Sequence, residues 1–312
     1  MEASNRSIHA AIGANLAIAA SKFVAAAFTG SASMLAEGIH SFVDTGDGVL
    51  LLWGTRVSRK PPDEGHPFGY GKELYFWTLI VALMIFALGG GVAVVEGVER
   101  LRDPKLPEHV GWSFVVLALS AVFEGYSWYV SYKQLREADG RRTLWRAVQA
   151  SKDPRNFTIL FEDSAALAGI AVAALGLGVG AATGSPYPDG IASIVIGLIL
   201  GGMSILLARE SKALLVGEAA DDGSVASIRA LAEADDAVES APHPLTMHLG
   251  PDEVLLNLDV RFRPGLSADE VVAAVGRIEE AIRAKHPEIR RIFLEVQPQP
   301  QSPTELVAPV SR

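Results

Sequence analysis

The sequence predicts an α-helical membrane protein with six transmembrane helices, followed by a small cytoplasmic α+β domain of αββαβ order. Three observations carry this. The first two thirds of the chain hold six apolar stretches of about 20 residues, the length that crosses a bilayer core of about 30 Å at 1.5 Å per residue. The last third changes to amphipathic and alternating patterns. Charge divides at the same place: residues 1–210 carry 19 acidic and 17 basic side chains, residues 211–312 carry 17 and 10. The expected organisation is a six-helix membrane domain over 1–210, a dimerisation or regulatory domain over 211–298, and a Pro- and Gln-rich disordered tail over 299–312.

The six spans are read at 8–28, 32–54, 74–94, 111–132, 157–181 and 186–208. The first is not a cleaved signal peptide by pattern, because it lacks an A-x-A-like site and a second span follows at once. The loops at 55–72 and 133–156 together hold eleven Lys and Arg, the loop at 97–110 three, and the turns at 27–36 and 182–188 none. The positive-inside rule then places both termini in the cytoplasm, in a membrane of the bacterial inner type. Trp77, Trp112 and Tyr187 lie near span ends, where amphipathic rings favour the interface. Gly89, Gly90 and Gly91 allow close helix approach.

Beyond about 215, residues 224–234 read as a helix, and 243–249 and 253–263 as strands around Gly250-Pro251-Asp252. The second strand alternates, with Val254, Leu256, Leu258, Val260 and Phe262 on one face. Ser267-Ala268-Asp269-Glu270 is a capping box opening a helix that is apolar at Val271, Val275, Ile278 and Ile282. A strand at 291–296 closes a small layered unit of ferredoxin-like type. Its core is small, so a partner chain is expected to complete its burial.

Composition also excludes. A net charge of −9 leaves no basic face for nucleic acid. With no cysteine, any metal must be held by His, Asp, Glu or backbone oxygen.

Ionisable groups inside spans cost roughly 2.5–3.5 kcal/mol each at mid-helix, which makes them functional candidates. Span two carries Glu37, His40, Asp44 and Asp47. His40 and Asp44 stand one turn apart on one face, a spacing that can grip a divalent cation or can merely staple helices through a His–Asp bond. Span five carries the adjacent pair Glu162-Asp163. Counting residues places Asp44 about 18 Å and Asp163 about 21 Å below the outer edge, so the two carboxylates match in depth. Glu37 is read near the outer mouth, and Asp47 either in the path or in packing. Asn15, Glu124 and Asp189 either line the path or bond neighbouring helices, and Lys22 is read as snorkelling outward.

Three segments together resemble the cation diffusion facilitator family of metal/proton antiporters. They are Ser33-Met34-Leu35-Ala36-Glu37-Gly38-Ile39-His40-Ser41-Phe42-Val43-Asp44, the loop His66-Pro67-Phe68-Gly69-Tyr70-Gly71, and Asp189-Gly190-Ile191-Ala192-Ser193. The resemblance covers about 8–298. It implies a homodimer in a lipid bilayer, a tetrahedral site for Zn²⁺ or a related ion built from spans two and five, and a tail that senses or tunes. Here the chain departs from the commoner pattern. Span five keeps Asp163, but the usual histidine position is Ile159, which cannot ligate. The Leu160-Phe161-Glu162-Asp163-Ser164 segment is similar to the zinc-transporter-like branch whose fifth span carries a Glu-Asp pair. Where some relatives carry tail histidines, this chain shows Asp259 and Glu295; His243, His248 and His286 are left as possible ligands of a tail metal site but read rather as surface residues.

The resulting expectation is a transporter rather than an enzyme. It exports a divalent metal, Zn²⁺ or else Mn²⁺, Fe²⁺, Co²⁺ or Cd²⁺, against protons by alternating access. The metal ligands are His40, Asp44 and Asp163, with Glu162 as the fourth; no cofactor is called for. Ligands must be deprotonated to bind, so metal and protons compete for one site, and a free imidazole titrates at about 6.5, near cytoplasmic pH. The alternatives are a non-transporting membrane metal sensor and an intramembrane metalloenzyme. The latter would need an open coordination position and a general base.

Overall fold

The computed structural model describes residues 2–139 and 154–297. The expected tail over 299–312, and most of the basic loop after the fourth span, lie outside the described residues. The chain forms two compact units, Met1–Val216 and Gly217–Arg312.

The first unit is helical. Its described elements are α1 (Glu2–Thr29), α2 (Ala32–Ser58), α3 (Glu73–Arg102), α4 (Val110–Asp139), α5 (Pro154–Thr183) and α6 (Tyr187–Val216). Four of them, α3 to α6, are long and apolar enough to cross a membrane. The described apolar part of α1, Asn15–Thr29, is shorter. Helix α2 has 27 residues, but Glu37, His40, Asp44 and Asp47 dilute its apolar run. Large apolar side chains point outward: Phe28, Val122, Tyr126, Leu175 and Leu198 are each more than 60 % exposed. A water-facing surface does not normally carry such a band, and a lipid-facing one does.

Helix α3 contains a π-helical segment at Ile85–Gly91, a local underwinding that shifts the side-chain register of the turns after it. Glycines bring α3 against α6. A Cβ at Gly97 would lie 2.7 Å from the Gly190 carbonyl oxygen, and one at Gly197 would lie 2.7 Å from that of Gly90. Only glycine allows backbones to meet this closely. Ser193 Oγ adds a 2.8 Å hydrogen bond to the Ala93 carbonyl.

The second unit comprises α7 (Asp222–Glu233), β1 (Val238–Ser240), β2 (Leu245–Gly250), β3 (Glu253–Phe262), α8 (Ala268–Lys285) and β4 (Ile289–Val296). The three-residue β1 was not expected from the sequence; it is too short to show alternation. The sheet is mixed. Strand β3 pairs antiparallel with β2 through Glu253–Asn257 and with β1 at its far end, and parallel with β4. Every second residue of β3 is buried, from Val254 to Phe262, against Ala274, Ile278 and Ile282 of α8 and Ile228 and Ala232 of α7. The Ser267 capping box forms: Ser267 Oγ accepts from the Glu270 amide, and Glu270 accepts from the Ser267 amide at 2.7 Å. Those bonds hold the Glu270 carboxyl below its usual range.

Two expectations for this unit are corrected. His248 and His286 are buried rather than on the surface, at 7 % and 9 % exposure. His286 Nε2 lies 2.9 Å from Ser227 Oγ and its Nδ1 lies 3.3 Å from Glu288, so the ring ties the end of α8 to α7. His243 is exposed. Asp259 and Glu295 are register partners on adjacent strands.

Candidate metal centre

Helix α2 carries the candidate residues, and its N-terminal end is fixed first. Ser31 caps it, with Oγ accepting from the Met34 amide. Asp189, at the start of α6, accepts from Ser31 Oγ and the Ala32 amide at 2.6 Å each, and also from Ser33 Oγ and the Ser33 amide. A carboxylate suits a helix N-terminus, where unpaired amides and the helix dipole are both positive. Arg100 Nε of α3 lies 3.8 Å from the same carboxylate. Asp189 therefore bonds a neighbouring helix rather than lining a path.

Spacings of three and four residues put Glu37, His40, Asp44 and Asp47 along one stripe of α2. Glu37, His40 and Asp47 are 0–1 % exposed, and the Asp44 side chain 13 %. His40 Nδ1 stands 3.2 Å from Asp44 Oδ1. That is an ion-pair distance without hydrogen-bond alignment, so neither His40 ring nitrogen has a hydrogen-bond partner. Both Asp47 oxygens, Glu162 Oε1 and Asp163 Oδ2 are also buried without one. Orphaned polar atoms are expensive in a low-dielectric interior, and several together mark a place kept for something other than packing.

The acidic pair of α5 faces this stripe. Asp163 is 8 % exposed, hydrogen-bonds Ser127 of α4, and lies within electrostatic reach of Asp44, Glu124 and His40. Glu162 feels Asp47, Asp44, Asp163 and Glu124. The structure thus brings His40 and Asp44 into contact and gathers Glu162 and Asp163 into the same acidic region. It does not close all four into one ligand shell: among the described residues, no three His, Asp or Glu side chains approach closely enough to hold a metal ion. Five carboxylates in one low-dielectric region repel one another, which opposes closer approach. Ile159, at the missing histidine position, is 40 % exposed, and Asn15 is exposed on α1.

Lys22 departs most from expectation. It does not snorkel outward but is 0 % exposed, with Nζ donating to Glu37 Oε2 at 2.9 Å and to Ser41 Oγ at 2.8 Å. The sequence did hold a signal for this. Lys22 is seven residues from the C-terminal end of α1 and Glu37 five from the N-terminal end of α2, so the depth count that matched Asp44 with Asp163 also matches these two.

The family profile for the cation efflux transmembrane domain matches residues 8–216. The chain is 31 % identical over 280 residues to metal tolerance protein C4 of Arabidopsis thaliana, covering 89 % of this chain and 61 % of that protein. It is 30 % identical to the mitochondrial proton-coupled zinc antiporter SLC30A9 of Homo sapiens, over 88 % of this chain and 55 % of that one. The manganese efflux system protein MneP of Bacillus subtilis is 25 % identical, over 91 % and 90 %. The chain therefore spans little more than half the length of the plant and animal relatives.

Proposed function

This chain belongs to the cation efflux, or cation diffusion facilitator, family, whose members are transporters and not enzymes, and we propose that it moves a divalent metal cation across a membrane in exchange for protons. The observation that carries the reading is the stripe of buried, unsatisfied ionisable groups on α2 facing the Glu162-Asp163 pair of α5. In this reading α1 to α6 are six spans, both termini are cytoplasmic in a membrane of the bacterial inner type, and the protein works as a homodimer.

His40, Asp44 and Asp163 bind the cation, and Glu162 completes the site after a small closure of α2 toward α5. Three oxygens and one nitrogen make a harder donor set than two histidines and two aspartates, which admits Mn²⁺ beside Zn²⁺. Zn²⁺ is the first choice, because the relatives named zinc antiporters match at higher identity than the one named for manganese. Each ligand must shed its proton to bind metal. Loading the site from one side and protonating it from the other then yields exchange.

The test is uptake by liposomes holding the full chain, measured metal by metal under an imposed pH gradient. Uptake that follows the gradient supports antiport. Metal binding without flux would favour a sensor. Cation titration of Glu162→Gln decides the fourth ligand: a tenfold or greater loss of affinity keeps Glu162 in the site, and unchanged affinity removes it.

A further inference from the structure

The buried pair Lys22–Glu37 lies outside the candidate ligand set, yet it sits between the same helices. Glu37 is seven residues outward of Asp44 on α2, about 10 Å along the axis. Its second oxygen, Oε1, is buried with no hydrogen-bond partner and abuts Gly169 of α5, where an added Cβ would run into it. Gly169 is six residues outward of Asp163, about 9 Å along α5. So α2 and α5, which carry the cation candidates deeper in the membrane, meet again one level outward, at a carboxylate with one free oxygen. The other oxygen is held by the Lys22 ammonium, which α1 delivers and which also reaches Ser41, the neighbour of His40.

Stability alone does not call for this arrangement. A buried ion pair is commonly no more stabilising than well-packed apolar side chains of the same volume. What the pair does provide is a fixed positive charge beside a cluster of carboxylates, in a medium where charges act over long range.

We propose that Lys22 is a tethered cation of the transport path, and that Glu37 is the next cation position outward from His40 and Asp44. With no metal at that level, the ammonium neutralises Glu37 and closes the outer end between α2 and α5. A divalent cation moving outward takes Glu37 by displacing it. This rests on the transport reading above and adds to it a second position and an internal competitor.

The experiment is equilibrium Zn²⁺ binding, repeated with Mn²⁺, and Zn²⁺ turnover in proteoliposomes, both on the full chain. Lys22→Met removes a repelling charge and is expected to tighten binding at least tenfold. Lys22→Met with Glu37→Gln restores the local charge and should return affinity to within about threefold of the parent. A pair that only holds helices together would give the opposite, since loosening the fold weakens binding. Unchanged or weaker affinity in Lys22→Met overturns the proposal. Should the Lys22 variants fail to fold, Glu37→Gln alone decides: turnover falls at least tenfold while Zn²⁺ still binds, and normal turnover overturns the proposal. A parent chain that binds neither metal removes the transport reading and this one together. A parent that binds, with a Lys22→Met that does not tighten, removes this one alone.

Discussion

The two units treat charge in opposite ways. In the C-terminal unit, most charged groups reach the surface and several pair there, with Arg261 Nε a buried exception that has no hydrogen-bond partner. Arg277 holds Asp235 through two hydrogen bonds of 2.8 and 2.9 Å, Arg291 holds Glu253 at 3.0 Å, and Glu270 closes its capping box. In the helical unit, Glu37, His40, Asp47 and Asp163 are buried, and each has at least one polar atom with no hydrogen-bond partner. The first pattern is what stability asks of a small domain. The second costs stability and persists only where the unpaired groups are needed for something else. Function in this chain is therefore read where the ordinary rules of folding are broken.

The contrast is sharpest at the candidate cation site. Asp44→Ala and Asp163→Ala are each expected to cut metal flux in proteoliposomes at least 100-fold, with helical content by circular dichroism unchanged. Normal flux in either would return these carboxylates to packing. The converse holds in the other unit. Ile278→Ala empties a fully buried position of α8 and should cost about 3 kcal/mol in the unfolding of that unit. Metal binding by the helical unit should survive, and its loss would break the separation of roles. Asp189→Ala is next. It strips four donors at the start of α2 of their acceptor and is expected to cost about 2 kcal/mol, with Asp189→Asn recovering part, as thermal unfolding in micelles would show.

The smallest effect is expected at Asp235. Its bond to Arg277 holds its carboxyl below the ordinary value of 3.8. A lowered carboxyl pKa stabilises the fold above the unfolded value and loses that contribution as pH falls through the folded one. Arg277→Gln should therefore lower the melting temperature slightly at pH 6 and leave it unchanged near pH 2.5. An equal loss at both pH values would deny the ionic part.

Legibility in the sequence follows the same division. The alternation of β3, the capping box and the apolar face of α8 were readable because each is a local pattern imposed by one partner surface. Strand β1 was not, since three residues carry no period. The His40–Asp44 pair was readable because both lie on one helix. Lys22 was misread because a lone lysine near a span end usually snorkels, and its partner is fifteen residues away on another helix. Asp189 was left open for the same reason: it caps a helix that begins 157 residues earlier. Spacing within a helix is written in the chain, whereas contact between helices has to be inferred from depth.

The Asp189 clamp also bears on motion. It fixes one end of α2; were the helix to tilt about that end, Ala32 would be the pivot and the segment to Asp44 a lever of about 18 Å. A tilt of about 10° at the pivot carries the Asp44 carboxylate about 3 Å sideways, roughly the width of a metal–ligand contact. It moves Glu37 by less than half as much. A single rigid rotation of that kind would reshape the proposed deep position strongly and the proposed outer one weakly, and would let the two open and close out of step without any helix unfolding.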